Sequence, residues 1–131
     1  MRHYLIASCC LLFSSFCFAA ADGKNTALNW LQLIDQGQYE TSWQHAGTIV
    51  QQQLTETQWQ QMVQKARQPF GALQSRTILS QQEHSSLPGA PDGRYLILTL
   101  QSQFEHKAAA IETLTLSFEQ DEWRTVGYFI R

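Results

Sequence analysis

Beyond residue 21 the chain contains no cysteine, because Cys9, Cys10 and Cys17 all precede that point. Disulfides, thiol nucleophiles and cysteine-ligated metals are therefore excluded together for residues 22–131. Histidine is scarce as well. His45, His84 and His106 stand far apart, and no His-Glu-x-x-His or comparable spacing marks a ligand set. There is no Gly-x-Ser-x-Gly elbow to present a serine nucleophile. Gly89 and Gly93 lie in a proline-rich turn with no helix behind it, so they do not form a phosphate loop. No metal or cofactor is expected. An excess of positive charge is also missing. All eleven acidic residues follow residue 21, against eight of the nine Lys and Arg, a net of −3 with the bases scattered. Neither nucleic acid nor an anionic membrane surface is an expected partner for such a chain.

What is present begins with an export pattern. Met1-Arg2-His3 is a short positive start, residues 4–18 form an apolar stretch broken only by serines, and Ala19-Ala20-Ala21 closes it with small residues. These are the three parts of a secretory signal, and they place the mature start at Asp22. An apolar run of 15 residues is short for a membrane span, which needs roughly 18 or more. Ile6-Ala7-Ser8-Cys9 has the look of a lipidation box but lies too near the start to leave an apolar core before it. The expectation is an exported protein, periplasmic or secreted, with no membrane span once residues 1–21 are removed. About 110 residues then remain, enough for one domain with one core.

That domain divides into a helical half and a strand half. Ala27, Trp30, Leu31 and Ile34 recur at i, i+3, i+4, i+7, the face of a helix over 25–36 that Gly37 ends. Tyr39, Trp43, Ala46 and Val50 mark a second helix from near Gln38, with Gly47 weakening its later part. Thr55-Glu56-Thr57-Gln58 matches a capping box, and Trp59, Met62, Val63 and Ala66 form the face of a third helix, stopped by Pro69 and Gly71. The period then changes to two, with strands expected over 72–82, 94–104, 110–118 and 123–130. Ser85–Gly93 reads as a loop and Gln120-Asp121-Glu122 as a turn. Short connections favour an antiparallel meander. The expected fold class is α+β: about three N-terminal helices packed on a four-stranded antiparallel sheet. The glutamines of the helices stand mostly between the apolar positions, as on a soluble uncharged face.

With the elements placed, the chain resembles the bacterial family catalogued as domain of unknown function 4019. The resemblance is carried in order by Trp30–Trp43, Trp59–Arg76, Leu87–Tyr95, Glu112–Leu116 and Trp123–Arg131. It implies no assigned activity and brings no catalytic residue across. The order of helices and meander is also similar to the cone-shaped, cystatin-like fold of the nuclear transport factor 2 superfamily, an analogy of fold that does not fix function.

Five residues stand out as candidates for ligand binding: Asp35, Tyr39, Arg67, Arg76 and Glu112. Glu112 shares strand parity with Leu114, Leu116 and Phe118, and a lone buried charge there is too costly to stand without a cation. Arg67, at the end of the third helix, and Arg76, on the first strand, are the available partners. The expected result is a polar cluster at the sheet edge, structural first and ligand-orienting second. Asp35, just before Gly37, and Glu40, next to Tyr39, flank the turn between the first two helices. There Asp35 either bonds the turn's backbone or, in an enclosed pocket, serves as a base. Three functions follow. The leading one is a non-catalytic module binding a small molecule, a peptide or a protein. The second is a structural subunit, with a homodimer formed through Tyr95, Ile97 and Thr99 on an open sheet face. The third is a cone-fold enzyme using Asp35 or a histidine as its acid–base group.

Overall fold

The computed structural model describes residues 16–131, and side chains from residue 22 onward. The segment read as the body of the export signal, residues 1–15, lies outside the described residues. Four α-helices are found among them: α1 (Phe16–Asp35), α2 (Tyr39–Gln44), α3 (Thr48–Gln53) and α4 (Glu56–Arg67). They are followed by strands β1 (Leu73–His84), β2 (Tyr95–Phe104), β3 (Lys107–Glu119) and β4 (Glu122–Ile130). The strands pair antiparallel in the order β1-β2-β3-β4, the expected meander. The fold is α+β, with the helices preceding the sheet.

α1 lays Ala27, Trp30, Leu31 and Ile34 on the sheet, all buried, as the periodicity requires. Against them stand Leu96, Leu98 and Leu100 of β2 and Leu114 and Leu116 of β3. The alternation of β2 and β3 thus sends its leucines to the covered face. Ile97, Thr99, Thr113 and Thr115 line the opposite face and are only half-buried.

The second expected helix is two helices. At Ala46–Gly47 the chain leaves the helical path and joins the edge of β4, with an Ala46–Thr125 parallel bridge and a Gly47 N–H donated to the Thr125 carbonyl at 2.8 Å. Glycine is required there by proximity, since a Cβ on Gly47 would stand 2.5 Å from Val126 Cγ1. α4 opens with the expected capping box, Thr55 and Gln58 bonding reciprocally. Its buried ridge is narrower than the sequence suggests. Trp59, Val63 and Arg67 are buried at four-residue spacing, whereas Met62 is 50 % exposed and Ala66 lies in solvent. The reason is that α4 packs chiefly on α2 and not on the sheet, and a single helix–helix contact buries one ridge.

Ser42 ties the helices together. Its carbonyl accepts from Trp30 Nε1 at 3.0 Å and its hydroxyl from Trp59 Nε1 at 2.9 Å, so α1, α2 and α4 meet at one buried serine. Two edge-on ring contacts, Trp30–Trp59 and Trp30–Tyr128, carry this junction down to β4.

Candidate functional site

Bulges decide which polar residues reach the covered face. In β1 the register slips between Leu73 and Ser75, which turns Arg76 inward opposite Ser102. In β4 it slips opposite Thr115 and Leu116. Strict alternation from Trp123 and Thr125 would send Tyr128 outward; the slip returns it to the covered face opposite Leu114. Glu112 and Ser102 need no such device, for both follow the parity of the buried leucines.

Glu112 is 0 % exposed. Its Oε1 accepts from Arg76 Nε at 2.8 Å and from the Ser102 hydroxyl at 2.6 Å, and its Oε2 accepts from the Tyr128 hydroxyl. Arg76 reaches the other way as well, donating from Nη1 to Asp35 Oδ2 at 2.8 Å and from Nη2 to Asp35 Oδ1 at 3.0 Å. Arg67 completes the set with a looser contact, Nη2 to Asp35 Oδ1 at 3.4 Å. The Arg67 guanidinium also stacks 4.1 Å above the Phe104 ring and donates from Nη1 to the Gly71 carbonyl at 2.6 Å. Gly71 takes φ +74°, a conformation that favours glycine. Two carboxylates and two guanidinium groups thus form one chain joining α1, α4, β1 and β3, with no net charge.

The electrostatics keep this state in place. Burial alone would lower the pKa of Arg76, but its hydrogen bonds and charge contacts with Asp35 and Glu112 outweigh that and hold it above the ordinary arginine value. Burial raises the pKa of Tyr128 well above the usual phenol value, and the neighbouring Glu112 charge raises it further, so Tyr128 remains a neutral donor.

Four of the five sequence candidates therefore meet in one network. The fifth, Tyr39, lines the cleft above it. That cleft, about 330 Å³, opens between the α1–α2 turn and the α4–β1 junction, with Asp35, Tyr39, Arg67, Gln68 and Gly71 in its walls. Asp35 spends its oxygens on the two arginines and not on the turn backbone. Sequence reasoning missed Ser102 and Tyr128. Ser102 was findable, as a serine at even parity between Leu100 and Phe104. Tyr128 was hidden by the bulge, for which only the neighbouring Gly127 gives a hint.

Three larger clefts, of about 460, 450 and 370 Å³, lie elsewhere. The first runs along α1 beside His45, Glu122 and Arg124; the second lies between α3 and the loop before β2. No residue of the ionic network lines any of the three, so size and chemistry point to different places, and the buried charge selects the smallest cleft. His45 and His106 are exposed, and His84 is the last residue of β1. Among the described residues no group of three or more His, Cys, Asp or Glu side chains is placed to hold a metal ion. Nor is any helix among them long and apolar enough to cross a membrane.

The family model described as "Protein of unknown function (DUF4019)" matches residues 26–128, and the chain belongs to that family. No curated protein and no solved structure matches the chain, so the likeness to the cone-shaped fold rests on element order alone.

Proposed function

We propose that this member of the family is an exported, non-catalytic module that binds a small molecule in the cleft floored by Asp35 and Arg67. The observation that carries the reading is the convergence of Asp35, Tyr39 and Arg67 on one cleft above a network whose charges neutralise each other. A cleft of this volume falls at the lower end of the range for small-ligand sites. Catalysis through Asp35 is disfavoured: its carboxylate is bound into the network by both arginines, and the residues lining the cleft include no histidine and no second carboxylate to relay a proton. Export rests on the N-terminal pattern, and cleavage after Ala21 would fall inside α1. Gly23 lies against Leu96 and Trp123, so a mature chain starting at Asp22 keeps Gly23 and the buried Ala27, Trp30, Leu31 and Ile34 of α1.

Native mass spectrometry of the protein isolated from the periplasm of a bacterial host tests this reading. The expected spectrum shows a monomer beginning at Asp22 and carrying a retained small mass. A bare monomer would contradict binding. A dimer would favour the second reading, assembly through the uncovered sheet face, for which the specific observation is Phe129, 61 % exposed beside Thr113 on that face.

A further inference from the structure

The two arginines of the network are used differently. Arg76 fills both edges of its guanidinium, the Nε/Nη2 edge on Glu112 and the Nη1/Nη2 end on Asp35. Arg67 bonds well only through Nη1, to Gly71. Its Nη2 reaches Asp35 at 3.4 Å, and its Nε is buried with no hydrogen-bond partner among the described residues. Arg67 itself is only 4 % exposed, so the unmatched Nε–H has lost water without gaining an acceptor. The Nε/Nη2 edge of an arginine is a planar fork that matches the two oxygens of a carboxylate.

Asp35 is complementary. It accepts three hydrogen bonds from the arginines, one of them the long contact to Arg67, and a carboxylate offers about four acceptor positions. Both members of the loosest pair in the network line the cleft, one with a buried donor that has no acceptor and the other with spare acceptor capacity. A simple anion entering there would meet Arg67 but also the negative Asp35. A simple cation would meet the reverse. A ligand carrying both charges on adjacent atoms meets each with its opposite and leaves the network neutral.

Building on the reading of this cleft as a binding site, we infer that its ligand is a small zwitterion of the α-amino acid type. Ligand entry turns the buried Nε/Nη2 edge of Arg67 into the cleft, where it takes the carboxylate, while the ammonium group lies on Asp35. The short separation of the two charges in such a ligand suits the 3.4 Å spacing of Arg67 Nη2 and Asp35 Oδ1. Tyr39, in the cleft wall, then flanks whatever side chain the ligand carries.

The test is a titration of the ¹⁵N-labelled protein with glycine, acetate, methylammonium and inorganic phosphate, read at the Arg67 Nε–H resonance and the Gly37 and Gly71 amides. Glycine is expected to shift all three saturably, and acetate and methylammonium at least about tenfold more weakly, since each meets only one of the two charges. Arg67→Lys, which keeps the charge but loses the fork, is expected to abolish the glycine response. If it fails to fold, the wild-type titration still decides. No saturable response to glycine, or an equal or stronger response to acetate or phosphate, overturns the zwitterion. A retained neutral mass in the native spectrum together with a silent glycine titration would overturn this inference while leaving the binding reading intact.

Discussion

The covered face of the sheet is held to its helices in two different ways. At one end Leu96, Leu98, Leu114 and Leu116 meet α1 through apolar contact; at the other, Arg76, Ser102, Glu112 and Tyr128 meet Asp35 and Arg67 through ions and hydrogen bonds. The leucines act nearly one by one, each burying its own area. The ions act only as a set, because each is tolerable inside the protein only while its partners are present. The leucine end is a scaffold that accepts exchange of volume; the ionic end specifies one geometry and borders the cleft.

Breaking the ionic end is expected to give the largest effects. Glu112→Ala leaves Asp35 as the one carboxylate bonded to Arg76, and the loss of stability should be about 3–5 kcal/mol by denaturant titration. Arg76→Met should cost a similar amount. The double variant should cost clearly less than the two together, since both remove the same contacts. Additive losses would show that the two residues do not act as a pair.

At the leucine end, Leu98→Ala should cost about 3 kcal/mol through lost transfer energy and a residual cavity. Its cost should simply add to that of Glu112→Ala if the two ends are independent, whereas a strong coupling would join the two regions distinguished above.

Tyr128→Phe should cost about 2 kcal/mol at neutral pH, as a hydrogen bond to a charged group is lost. It also changes the alkaline behaviour. The folded pKa of Tyr128 is raised above its unfolded value of 10.0. Its contribution is therefore full below that value and is lost as pH rises beyond it. As pH rises above about 10 the wild type should lose melting temperature more steeply than Tyr128→Phe; parallel curves would contradict a neutral, Glu112-bound phenol. The smallest effect is expected away from both ends. Met62→Gln, on the exposed side of α4, should change stability by no more than about 0.5 kcal/mol, and a larger loss would mean that α4 buries a wider face.

Legibility in the sequence followed the same division. The leucine end could be read directly, because α1 keeps its helical period over Ala27–Ile34 and the strands alternate without a break over Leu96–Leu100 and Glu112–Leu116. The charged partners of Glu112 could be inferred from cost alone: a carboxylate at core parity demands a cation, and Arg67 and Arg76 were the ones in range. What could not be read depends on broken periods. The inward turn of Arg76 follows a slip in β1, that of Tyr128 a slip in β4, and the division of α2 from α3 comes from Gly47 meeting Val126 across the fold. Each is a long-range fit, and local periodicity carries no record of it. Met62 was misplaced for a related reason: helical spacing marks an apolar face but not how much of it a neighbour covers.

The claim that the ionic end is also the binding end is tested most directly by adding the low-molecular-weight fraction of periplasmic extract to the ¹⁵N-labelled protein and mapping the amide shifts. Perturbations grouped at Gly37, Tyr39, Gln68 and Gly71 are the predicted result. Perturbations grouped instead along Thr48–Gln52 and Ala90–Arg94, or across Ile97, Thr113 and Phe129, would contradict it.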